Sequence, residues 1–248
     1  MDLSRGQRTY LGALLVWLGL TTSAVLALSL RSPVHRAVIC MATGMILLWI
    51  VLGGALMVRF RAPIVTWVRA IPLDWRLKFV LFCTVLAMTE EAITTLMTNA
   101  APLFGVRYGQ AYITASGNYL DVITLHSVSI FVSLFVGWAV ILWRRAFSPF
   151  AVFVLFGITG TLAEMAFGGP QHILEYAMWS YVYGLMVWLP ACAVPQERGA
   201  LPPRWWHYPL AVFAPFLFIV LFPLAGIITV VATRGHGGHP SIHFPPLR

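Results

Sequence analysis

Apolar residues run through this chain in seven blocks, each about as long as a helix needs to cross a bilayer, roughly 20 residues. They lie near 10–30, 37–58, 79–104, 121–143, 148–168, 172–194 and 209–233. The pattern predicts an all-α polytopic membrane protein. One bundle of about seven transmembrane helices fills 1–233, and a His-containing outer tail follows over 234–248. The first block is too long for a signal-peptide core and has no convincing cleavage site, so it is expected to remain as a helix.

The connections between blocks set the expected topology. Arg5, Arg8, Arg59, Arg61, Arg69, Arg76, Lys78, Arg144, Arg145, Arg198 and Arg204 fall on the side of the N-terminus. Arg31, Arg36, Arg107, Arg234 and Arg248 fall on the other. The excess predicts an N-inside, C-outside chain in a cell inner membrane. Residues 59–78 carry Pro63, Trp67, Pro72 and Trp75 and read as chain lying in the headgroup layer. Residues 105–119, rich in Gly, Tyr, Ser and Asn, read as an ordered outer cap.

Composition narrows the partners. The chain is 60% hydrophobic and 10% charged, whereas a soluble domain is about 25% charged. The net charge of +8 does not point to nucleic acid, because the arginines sit at block ends. The expected partners are membrane lipid, a lipidic small molecule and further chains of a membrane complex. Cys40, Cys83 and Cys192 have no metal-type spacing and read as small apolar packers.

The third block breaks the apolar pattern. It contains Met88-Thr-Glu-Glu-Ala-Ile-Thr-Thr-Leu-Met-Thr-Asn99. A charged side chain at the bilayer centre costs roughly 2.5–3.5 kcal/mol on insertion scales. At helical spacing Glu91, Thr95, Thr98 and Asn99 share a face, which should point at protein or water. Two adjacent carboxylates in a low dielectric should not both ionise. That leaves a carboxylic acid able to donate a proton at neutral pH.

The other membrane-depth polar residues are expected on the same outer half. Asp121 and His126 begin the fourth block, and Glu164 lies near the end of the fifth. His172 and Glu175 start the sixth, followed by Tyr176, Trp179 and Tyr183. Together they predict one shared cavity, open or near-open to the outer face. Plainer roles compete. Asp121 could be an N-cap, Glu175 could complement a helix dipole, and Gly157, Gly160 and Gly168 could serve helix packing.

The spacing of these residues bears on several chemistries. Glu91, His126, Glu164, His172 and Glu175 are metal-binding residue types. However, His172-x-x-Glu175 is their one local pair, so no metal is assigned and no cofactor is named. His126 and His172 could form a haem pair, and the tail histidines His236, His239 and His243 could hold a metal loosely. The membrane-embedded CAAX-type proteases want an Arg where Thr95 stands and a Phe where Val122 stands. General acid–base chemistry on a lipidic substrate fits best. Tyr108, Tyr112, Tyr119, Tyr176, Trp179, Tyr181 and Tyr183 supply ring faces that attract a carbocation. Glu91 is the expected donor and Glu90 its partner. His126 and Glu164 are the base or water-orienting groups, and Asn99, Tyr108, Tyr112, Asp121, His172, Glu175, Tyr176, Trp179 and Tyr183 are the expected substrate contacts.

The stretch from Glu91 through Thr98-Asn-Ala-Ala-Pro-Leu-Phe-Gly105 to Tyr108 and Tyr112, with Glu164, Pro170, Trp179 and Tyr181 later, resembles membrane carotenoid-biosynthesis enzymes of the bisanhydrobacterioruberin hydratase type. The Glu-Glu pair is similar to that of the membrane lycopene cyclases. Asn99 stands where the hydratases have Gly, Leu103 separates Pro102 from Phe104, Glu164 replaces Asp, and Gly169 replaces an acid. The resemblance implies protonation of a polyene by a lyase or isomerase acting on an isoprenoid. The rival expectations are a non-catalytic subunit or assembly factor of a membrane complex, and a proton-coupled transporter.

Overall fold

The structure, a computed structural model, describes residues 3–223, 227 and 231. The expected tail over 234–248 and the end of the seventh block lie outside the described residues. Helices α1 (Arg5–Ser29), α2 (Pro33–Met45), α3 (Gly54–Arg59), α4 (Arg61–Ala70), α5 (Trp75–Asn99), α6 (Tyr119–Leu125), α7 (Ser127–Arg144), α8 (Pro149–Gly168), α9 (Tyr176–Ala193) and α10 (His207–Leu221) follow in order. Among the described residues there is no β-strand; a single bridge pairs Arg145 with Leu201.

Local chemistry sets the helix ends. Ser4 and Gln7 form a capping box at α1, with backbone–side-chain bonds of 3.2 and 2.9 Å. Ser32 and Ser148 cap α2 and α8, each followed by a proline in the first turn. Asp74 starts α5 by accepting the Arg76 N–H at 2.9 Å. The Arg76 guanidinium also grips that carboxylate and holds it below its ordinary range.

Among the described residues, five stretches are long and apolar enough to cross a membrane: Arg5–Ser29, Pro33–Arg59, Trp75–Asn99, Tyr119–Arg144 and Pro149–Gly168. They are compatible with a membrane protein. The second joins α2 to α3 through a π-helical turn, Ile46–Gly53. The sixth and seventh expected spans appear as shorter helices. α9 has 18 residues, diluted by Tyr176, Trp179, Tyr181, Tyr183 and Trp188, and α10 has 15. Two expectations change in detail. The headgroup-layer chain contains α4, with Trp67 exposed. The fourth block is two helices broken at His126, whose φ of −125° and ψ of −93° fit no helix.

The tightest contact in the bundle is α8 against α9. A methyl at Gly157 would lie 2.9 Å from the Ser180 Cα, and one at Gly184 would lie 2.6 Å from the Phe153 ring. Small residues here let two helices approach at backbone distance. Trp138 and Tyr183 pack edge-on against Phe156 around this seam, and Phe135 packs on it at a tilt. In α1, by contrast, 11% of the apolar window is buried. The helix is held partly by polar bonds: Tyr10 to Tyr176 between hydroxyls at 2.7 Å, and Tyr181 OH donating to Leu11 O at 2.8 Å.

One end of the bundle is basic. The Arg76 guanidinium lies 5.1 Å from the Trp143 ring. Arg69 donates to the carbonyls of Cys192 and Ala193, and Arg198 donates to those of Leu142, Pro195 and Arg145. These contacts tie α4 to the end of α9, and the start of α5 and the connector after α9 to the end of α7.

Candidate functional site

The membrane-depth acids gather in the other half of the bundle. Glu90 and Glu91 are on the buried side of α5, with only 6% and 5% of their surface exposed. Thr94, Thr95 and Thr98 continue that buried stripe, whereas Asn99, expected on the same face, is exposed because it is the last residue of α5, where the chain turns into the loop. Thr94 Oγ1 donates to Glu90 Oε1 at 2.8 Å and so fixes that side chain. Glu91 faces the hydroxyls of Ser127 at the start of α7 and Thr114 in the 105–118 loop.

Glu164 approaches from α8. It lies close enough to interact electrostatically with both Glu90 and Glu91. Its Oε1 accepts the hydroxyl hydrogen of Tyr183 on α9. The Tyr183 ring is packed against Phe131, Phe156 and Trp179, with centroids 5.6, 6.2 and 5.9 Å away. Gly160 makes room for it, because a methyl there would overlap the ring. Three carboxyls and a phenol from three helices therefore share one interior site.

A more exposed group borders it. Glu175 Oε2 accepts from Trp179 Nε1 at 3.0 Å and lies 2.7 Å from His172 Nδ1. His172 and Glu175 interact electrostatically with Glu164, so the cluster extends from the core to the rim. His126, at the α6–α7 break, has Nδ1 2.6 Å from Ser127 Oγ, the hydroxyl that also faces Glu91. It is positioned behind that hydroxyl.

The loop after α5 closes over this half. Thr98 Oγ1 accepts from Ile113 N at 3.3 Å, and Asn99 Nδ2 donates to Gly117 O at 3.0 Å. Tyr119 OH reaches back to Met88 O at 3.0 Å. Ala111, Thr114 and Ala115 of the loop itself are buried. The loop is thus the ordered cap expected from sequence. The near-open cavity is a different matter, since Glu90 and Glu91 are closed off from outside.

Other expected residues lie apart from the carboxyls. Asn118, rather than Asp121, caps α6, accepting from Leu120 N at 3.0 Å. Asp121 accepts from Ser116 Oγ at 3.3 Å. Tyr108 is exposed, and Tyr112 OH lies beside Gly109 in the loop. Tyr176 is spent on Tyr10 and on a tilted contact with Trp17. Sequence reasoning passed over Ser127 and Thr114. Both are ordinary hydroxyls in sequence, and the fold alone brings them to Glu91. Among the described residues, no three His, Cys, Asp or Glu side chains converge as a metal centre requires.

No family model, curated protein or solved structure matches this chain.

Proposed function

We propose that the chain is a multi-pass, inner-membrane enzyme that acts on an isoprenoid or other lipid by general acid–base catalysis at Glu90, Glu91 and Glu164. The observation that carries this reading is the convergence of two buried carboxyls and a third, half-buried one with Tyr183 in an otherwise apolar bundle. Such residues are costly at membrane depth and are by default functional. On this reading α9 and α10 complete a seven-helix bundle, N-inside and C-outside, in keeping with the basic end described above. The likeness to carotenoid hydratases and membrane lycopene cyclases supports the same substrate class.

The residues divide the work by their partners. Glu91 donates a proton to one carbon of a C=C bond, and the positive charge develops on the other. Trp179 and Tyr183 offer ring faces to that charge. Glu164, ordered by Tyr183, takes a proton from a carbon adjacent to the cation, which gives a shifted double bond; where a second C=C bond of the substrate first attacks the cation, the same proton loss from the new cation gives a ring. Alternatively it takes one from a water whose oxygen has bonded to the cation, which gives an alcohol. Glu90, held by Thr94, sits beside Glu91, and two neighbouring carboxyls in a low dielectric do not both ionise. The substrate enters from the bilayer between helices, since the cap closes the aqueous side.

The test is conversion of an acyclic C40 polyene by membranes that contain the chain, followed by chromatography and mass spectrometry. The expected product has gained one water or has the same mass with altered retention. Glu91→Gln should abolish it with expression unchanged. Full activity in Glu91→Gln would remove Glu91 from the reaction.

A second reading rests on α1, whose apolar surface is largely uncovered: a subunit that docks other chains of a membrane complex. Co-purification of a stoichiometric partner lost on α1 substitution would favour it. A proton-relay transporter is less well served, since no acidic residue lies between Asp74 and Glu90 along α5 and none lies within α7.

A further inference from the structure

At the basic end, a cleft of about 250 Å³ opens between the end of α7 and the start of α10. Val140, Ile141 and Leu210 form apolar walls, and Arg144, Arg145 and His207 line the same cleft. Its backbone frame is fixed. Ala146 N donates to Leu201 O at 2.9 Å and Leu201 N donates to Arg144 O at 3.2 Å. Arg198 clamps the carbonyls of Leu142 and Arg145 from behind.

Two observations point to an anion. Neither Arg144 nor Arg145 pairs with a carboxylate among the described residues. Arg144 lies instead over the Trp143 ring, 4.5 Å from its centroid. In addition, His207 is 4% exposed and its Nδ1 accepts the Arg204 N–H at 2.8 Å. In the neutral ring the hydrogen then sits on Nε2, and that atom is buried with no hydrogen-bond partner. Buried donors are rarely left unpaired. Two guanidinium groups and an imidazole N–H therefore line a cleft with no protein acceptor of their own. The apolar side of the cleft runs on to exposed membrane-type surface, with Val140 and Leu210 38% and 49% exposed.

We propose that this cleft binds an anionic phospholipid, with the headgroup phosphate on Arg144, Arg145 and His207 and an acyl chain along Val140, Ile141 and Leu210. Guanidinium groups match phosphate through parallel N–H donors. Basic pockets between membrane helices are a recurrent setting for acidic headgroups. A free phosphate would use the arginines and leave the apolar walls without a role. A zwitterionic lipid would bring a cation into an already cationic cleft.

The full chain, reconstituted in equimolar phosphatidylglycerol and phosphatidylcholine, is released into detergent and weighed by native mass spectrometry. The expected result is preferential retention of phosphatidylglycerol. Arg144→Gln with Arg145→Gln should reduce that retention by about tenfold or more, the scale of a lost charge-assisted hydrogen bond. Leu210→Trp narrows the cleft with both arginines intact and should reduce it too, so the proposal does not hang on one variant's folding. Arg31→Gln with Arg36→Gln should change nothing. Equal retention of the two lipids, or undiminished retention in both cleft variants, overturns the site. Displacement of the lipid by millimolar inorganic phosphate alone overturns the lipid assignment.

Discussion

Gly160→Ala is a sharp test of how the fold builds the site. The new methyl would overlap the Tyr183 ring. That ring cannot slide aside, because Phe131, Phe156 and Trp179 hold it on other sides. Overpacking of this kind costs about 1–3 kcal/mol. If the ring turns away it also gives up its bond to Glu164, worth about 0.5–1.5 kcal/mol. A loss of about 1.5–4.5 kcal/mol is therefore expected. The control is Gly12→Ala on α1, where nothing lies within 4 Å of the added methyl. Both variants gain the same helix propensity, about 1 kcal/mol, so their difference isolates packing. The assay is SDS-induced unfolding in mixed micelles, followed by tryptophan fluorescence. If Gly160→Ala is as stable as Gly12→Ala, the α8–α9 seam and the placement of Tyr183 against Glu164 are wrong.

Further outcomes follow from other contacts. Arg198→Ala strips three carbonyls of a charged donor and should cost about 1.5–3 kcal/mol, read in the same unfolding assay; an unchanged midpoint would refute the clamp. Tyr176→Phe combined with Tyr181→Phe removes the polar bonds holding α1, so amide exchange in α1 should quicken while α8 stays protected. Asp74, its carboxyl held low by Arg76, contributes stability that is present above its unfolded value, about 3.9, and lost as pH falls through the folded one. The destabilisation caused by Asp74→Ala should therefore be seen at neutral pH and vanish in strong acid; a constant difference across that range would contradict the pairing. Tyr183→Phe should lower turnover and leave binding of the polyene, followed by its absorbance, unchanged; loss of binding instead would place Tyr183 in substrate contact alone.

Much of the architecture is written in the apolar blocks. Every block begins or ends within a few residues of a helix, since a bilayer-length run of Leu, Val and Ile has few alternatives to helix. The polar stripe of α5 is also legible: Glu91, Thr95 and Thr98 are buried together as their spacing requires. So is the gathering of Glu164 and Tyr183, because antiparallel neighbours bring the end of one helix beside the start of the next. Other features are not local properties. The break at His126 carries neither Pro nor Gly to announce it. Ser127 and Thr114 reach Glu91 only because α7 and the cap fold over α5. The cleft by His207 depends on the 195–206 connector pairing with Arg144 and Ala146, which no spacing rule encodes.

The central claim is that Glu91 delivers a proton to carbon. The most direct measurement is turnover of an acyclic polyene by the reconstituted chain in D2O, with deuterium in the product located by mass spectrometry and NMR. The account predicts one deuterium at a single carbon of the former double bond, and none with Glu91→Gln. Product formed without deuterium on carbon, or labelled equally by the Gln variant, would contradict it.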